Sequence, residues 1–140
     1  MQRTLKLLPL LAAMLAGCTV TEFLYPVQGP LAAQSPPPVV RLSSLMYDFT
    51  LTLPDGETFK GKAVPVQHSQ NPPNPMSAQW DLVFGPGYYV ANVLGSDFYR
   101  TATLTGDRGS TMRIETATVG GTTQIGVAVD GHGNVFKLAL

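Results

Sequence analysis

From Arg41 onward apolar and polar residues alternate, the period of half-buried strands. Leu45, Tyr47, Phe49, Leu51 and Leu53 share one face, with Met46, Asp48, Thr50 and Thr52 on the other. Asp55-Gly56 marks a hairpin turn, and Glu57 to Val66 returns as a second strand. Gln67 to Pro75 holds Pro72, Pro73 and Pro75 and cannot continue a central strand. Asn74-Pro75 then predicts a helix N-cap with proline at the first helical position, a short helix over Met76 to Phe84, and a stop at Gly85. Tyr88 to Leu94 fits either a strand or a second helical turn. Past Asp97, Phe98, Arg100, Ala102 and Leu104 alternate with Tyr99, Thr101 and Thr103. Gly106-Asp107-Arg108-Gly109, Gly120-Gly121 and Asp130 to Asn134 are turns, and Phe136, Leu138 and Leu140 end the last strand. The expected fold is mainly β: about six antiparallel strands in a small barrel or bent meander sheet, with one short helical insertion.

Thr19 to Val40 breaks this pattern. It carries few charges and includes Pro26, Pro30 and the run Pro36-Pro37-Pro38, which favours extended polyproline. Residues 18–40 therefore read as a tether and residues 41–140 as an antiparallel domain able to fold alone. Phe23, Leu24, Tyr25 and Val27 are more apolar than a solvated tether needs, so packing back onto the domain, or onto a lipid interface, stays open.

Residues 1–17 have the parts of an export signal. Arg3 and Lys6 give a basic start, and Leu7 to Leu15 is apolar except for Pro9. A membrane-crossing helix needs roughly 20 apolar residues, so this stretch is a signal core. Leu15-Ala16-Gly17-Cys18 resembles a bacterial lipobox, with cleavage between Gly17 and Cys18 and a diacylglycerol on the Cys18 thiol. Two acyl chains meet the requirement for stable anchoring at about 0.8 kcal/mol per buried methylene. Thr19 stands where an aspartate would favour retention at an inner membrane. The expected place is the periplasmic face of an outer membrane, the first partner being membrane lipid.

Cleavage leaves 123 of the 140 residues, with nine acidic and seven basic side chains and a formal charge of −2. No basic patch points to nucleic acid. Cys18 is the sole cysteine, so no disulfide supports the fold. His68 in a proline-flanked loop and His132 in a glycine-rich turn lack zinc-ligand spacing, and Asp130, His132 and Asn134 lack the acidic density of a calcium loop. No metal or other cofactor is expected. Ser69 beside His68 makes no triad, and Gly85-Pro86-Gly87 lacks the context of a phosphate loop. No catalytic residue can be nominated. The aromatic group Trp80, Phe84, Tyr88 and Tyr89 is the candidate binding surface. Trp80 and Phe84, four apart on the helix, are also placed to cap the sheet core.

Leu24-Tyr25-Pro26-Val27-Gln28-Gly29-Pro30-Leu31 resembles the start of a group of small proteobacterial lipoproteins. Trp80 to Val90, Leu104 to Gly109 and Gly131 to Leu138 are similar to that group too. The resemblance implies a lipoprotein class without an assigned activity. The expected function is a non-enzymatic binding or envelope-support role, with an envelope protein as a candidate partner. The alternatives are a periplasmic inhibitor of a lytic enzyme, acting through Gln67 to Pro75, and a carrier of a small apolar ligand inside the sheet.

Overall fold

The computed structural model describes residues 18–67, 72 and 74–139. Within them eight antiparallel strands run in chain order around a closed barrel: β1 Val20–Gln28, β2 Val40–Leu45, β3 Asp48–Thr52, β4 Thr58–Pro65, β5 Arg100–Gly106, β6 Thr111–Val119, β7 Thr123–Asp130 and β8 Val135–Ala139. Each strand pairs with its chain neighbour. The ring closes where Phe23 and Leu24 of β1 meet Ala139 and Leu138 of β8. Helix α1, Ser77–Phe84, and a π-helical turn over Tyr89–Val93 lie between β4 and β5. A barrel with a short helical insertion agrees with the sequence.

Two strands exceed the expected six, for two separate reasons. The first is β1. Residues 18–40 are not a tether, because Val20–Gln28 pairs along both edges and closes the sheet. Its alternation puts Glu22 and Leu24 inside and Tyr25 outside. Pro26 falls where the register with β8 shifts, between Pro26 and Gln28, a place where a strand tolerates a missing N–H. The other prolines lie in the β1–β2 connection, which crosses one barrel end. There the Leu31 N–H donates to Asn134 Oδ1 at 2.9 Å. The β domain thus begins at Val20, not at Arg41.

The second is a hairpin inside the stretch read as one strand. Met46 and Tyr47 form a two-residue turn between Leu45 and Asp48, both at positive φ (48° and 74°). Such a turn ordinarily takes Asn-Gly. Met-Tyr gives no such signal, so the alternation read straight through it. The turn reverses the phase. Phe49 and Leu51 point inward, whereas Leu45 is exposed and Tyr47 stands half in solvent at the rim.

The barrel axis is filled by side chains from every strand, among them Leu24, Leu42, Phe49, Phe59, Leu104, Met112, Ile114, Phe136 and Leu138. The outer wall of β2–β4 carries Arg41, Asp48, Lys60 and Lys62 in exposed positions. This is the reverse of a membrane-spanning barrel, whose outward band is apolar. Among the described residues no helix is long and apolar enough to cross a membrane.

On β7 the large apolar side chains are on the outside, where Ile125, Val127 and Val129 face away from the axis. Such an outer face needs a cover, and the insertion supplies it. Met76, Trp80, Tyr89, Val93 and Tyr99 pack with Ala117 and Val127 in a second buried cluster. The helix therefore lies on the outer wall and does not cap the sheet core. Gly85 ends it at φ 116°, as expected. Asn74 does not cap it. The N-cap position is Met76, whose N–H donates at 3.1 Å to Glu115 Oε2 of β6. Tyr88 to Leu94 is helical, not strand. The signal of residues 1–17, His68, Ser69 and Leu140 lie outside the described residues.

Candidate functional site

The four aromatic residues named from the sequence come together, mostly as interior. Trp80 is 0% exposed and Tyr89 is buried, while Phe84 and Tyr88 are half-buried. Trp80, Phe84 and Tyr88 stack in series, with centroids 5.5 Å apart for Trp80–Phe84 and 4.8 Å for Phe84–Tyr88. Tyr89 turns away from the stack and inward to Tyr99, with ring centroids 6.1 Å apart.

Glu115 anchors this cluster from the barrel wall. Its Oε1 accepts from Trp80 Nε1 at 3.0 Å and from the Tyr99 hydroxyl at 2.8 Å. With Tyr99 donating there, the Tyr89 hydroxyl donates to Tyr99 at 3.3 Å. Burial raises the pKa of Tyr99 far above the ordinary phenol range, and the Tyr89 hydrogen bond and the Glu115 charge add to it. These phenols stay protonated as fixed donors. A carboxylate ringed by uncharged donors and sealed under a helix pins the insertion; it is not exposed to a substrate.

The turns at the end crossed by the β1–β2 connection bring Asp55, Glu57 and His132 together, with ligand atoms within 4.8 Å of one another. Asp55 and Glu57 are neighbours in the sequence, but His132 lies about half the chain away, and nothing in the sequence pointed to the meeting. They are the described residues best placed to hold a metal. Glu57 Oε1, however, already accepts the N–H groups of Arg108 and Ser110, and Asp55 Oδ1 accepts that of Glu57. Asp130 likewise accepts from the His132 and Asn134 N–H groups and from Asn134 Nδ2. These side chains tie adjacent turns together.

The opposite mouth is different. Inward positions there are polar: Glu22 of β1, Ser44 of β2, Arg100 of β5, Thr116 of β6 and Gln124 of β7 line a cup of about 330 Å³. That lies at the small end of ligand pockets, which span roughly 300–1,000 Å³. Phe49 forms part of its lining, and Cys18, Val20, Met46 and Tyr47 form its rim. Cys18 is exposed, two residues before β1. Arg100 lies over the Tyr47 ring, 4.2 Å from its centroid. Glu22 is 1% exposed, and its Oε2 has no hydrogen-bond partner among the described residues. The sequence did carry a signal for both charges. Glu22 is the lone charge between Thr19 and Val40, and Arg100 shares an alternating face with Ala102 and Leu104.

Burial pushes the Glu22 carboxyl above its ordinary value of 4.5. Folding thus favours the protonated form. The stability this group contributes is fully present below its unfolded pKa and is lost as pH rises through the folded one. Glu22→Gln should be more stable than the parent at pH 7, by about 1.4 kcal/mol for each unit of that interval. Urea unfolding at pH 4 and pH 7 checks this, and the advantage should shrink at pH 4. An equal difference at both pH values would assign the cost to something other than ionisation. No family model matches this chain, and no curated protein or solved structure matches it either.

Proposed function

We propose that the protein is a membrane-anchored lipoprotein with a non-enzymatic binding role, held by a diacylglyceryl group on Cys18 at the periplasmic face of an outer membrane. The lipobox-like Leu15-Ala16-Gly17-Cys18 carries this reading. Two further observations support it. Cys18 is exposed and separated from β1 by Thr19 alone, so an anchor there holds the barrel against the bilayer without a long tether. The end that would meet the bilayer also carries an apolar rim, with Met46 79% and Tyr47 49% exposed beside Val20 and Leu45. Large apolar tips rimming a polar cup suit a lipid interface better than water.

A binding role fits the cup at that mouth. The carrier alternative draws no support from the interior, where side chains fill the axis below the cup. The inhibitor alternative rests on Gln67 to Pro75, and residues 68–71 and 73 of that segment lie outside the described residues.

Cys18→Ser should abolish labelling by radioactive palmitate and release the chain from membranes washed with alkaline carbonate. Retention of the washed, processed variant in the membrane fraction would refute anchoring through Cys18.

A further inference from the structure

We propose that the mouth beside Cys18 binds the headgroup of phosphatidylethanolamine, with the ammonium on Glu22 and the phosphate on Arg100. This deepens the reading of the protein as lipid-anchored and rests on it for the source of the ligand. The first observation is the orphaned oxygen. Glu22 is buried in the wall of an open cup, yet its Oε2 meets no donor among the described residues. Buried polar atoms are nearly always partnered, and an exception calls for an explanation. Above its raised pKa the carboxylate only accepts hydrogen bonds, so a ligand that completes it there brings N–H or O–H groups, and a cationic donor also offsets the burial that favours the protonated form.

The second observation is the opposite charge in the same cup. Arg100 lies over the Tyr47 ring, 4.2 Å from its centroid, a cation–π contact that holds a guanidinium in place while its N–H groups, which lie in its plane, serve as donors. Among the described residues no ion pair within 4.0 Å joins Arg100 to Glu22, although both line one cavity. Two unlike charges held apart in a cup of about 330 Å³ suit a small ligand with a cation at one end and an oxyanion at the other. A primary ammonium joined by two carbons to a phosphate is such a group. A choline headgroup has no N–H to offer Glu22, and a glycerol headgroup has no cation.

The third observation says which source the headgroup comes from. The rim holds Cys18, and the Met46-Tyr47 turn projects apolar side chains from two successive left-handed residues that are not glycine. Such strain is found where the surrounding structure has a use for it. Here it places Tyr47 under Arg100 and Met46 outward, where the acyl chains of an anchored Cys18 would enter the bilayer.

The test uses the chain from residue 18 onward carrying Cys18→Ser, so that binding is measured without the anchor. It is floated with vesicles of phosphatidylcholine alone, or of equimolar phosphatidylcholine with phosphatidylethanolamine or phosphatidylglycerol. It is also titrated with O-phosphoethanolamine and with phosphocholine while backbone amide shifts are followed. Flotation should occur with the ethanolamine lipid alone. O-phosphoethanolamine should give saturable shifts at Glu22, Thr116 and Gln124, and phosphocholine should not. Glu22→Gln and Arg100→Leu should each weaken both responses by about tenfold, as for loss of a charge-assisted hydrogen bond; thermal melts confirm that the variants fold. Equal flotation with all three vesicles, or equal binding by the variants, would overturn the proposal. Saturable binding of O-phosphoethanolamine without flotation would overturn the lipid as ligand. Failure of anchoring would show instead in cells, as washed membranes that retain Cys18→Ser.

Discussion

A chain cut to residues 41–139 should not melt cooperatively. It should elute as oligomers in size-exclusion chromatography, although it holds every strand from β3 to β8. Removal of β1 takes out Leu24, which is fully buried, and breaks the ladders to both β2 and β8. The sheet then opens along two unpaired edges at the level of its core. Exposed apolar edges are templates for pairing between chains. A synthetic peptide of residues 19–29 should restore a monomer when supplied in trans, by adding the missing strand. Circular dichroism melts with and without the peptide check this. A monomeric fragment with a sharp transition of its own would show that the seam is dispensable.

Trp80→Ala should lower the melting temperature by about 10 °C or more. The indole is wholly buried between α1 and the barrel wall, and truncation of such a side chain typically costs about 3–5 kcal/mol. A typical domain has about 5–15 kcal/mol in total. Two effects add here. Removal of the ring uncovers apolar Val127 and Ile125, and Glu115 Oε1 loses the Nε1–H donor at 3.0 Å. Trp80→Phe should cost less, since a six-membered ring still covers the wall while the Nε1–H donor and the rest of the indole volume are lost, the unpaired acceptor alone at about 1–3 kcal/mol. As the single tryptophan, Trp80 also reports on itself: its emission should be blue-shifted and resist iodide quenching. An exposed-indole spectrum with unchanged stability would return the aromatic group to the surface.

The strands from Thr58 onward were legible because each turn between them carries glycine and each strand alternates. Two places misled, both through local signals overridden by tertiary contacts. Proline at positions 26, 30 and 36–38 outweighed the apolar run Phe23 to Tyr25, and only the seam with β8 reveals that Pro26 sits at a register shift. The Met46-Tyr47 turn has no turn residue and is held by the ladders on either side. The aromatic group stood out by composition, yet it proved mostly buried. The cup stayed hidden because its members come from six strands and meet only once the ring is closed. Glu22 and Arg100 were visible as charges on apolar faces, but a face alone does not say which mouth it opens on.

The seam between β1 and β8 also sets the order in which the molecule can come into being. Phe23 finds Ala139 only after every intervening strand has been made. A chain threaded through a narrow channel from its N-terminus would emerge with β1 first and its second partner last. Early hairpins can form and dissolve, but none closes the core, because loop-spanning contacts come late when their ends are far apart in sequence. Such a chain stays unlocked throughout its passage and becomes rigid only on the far side.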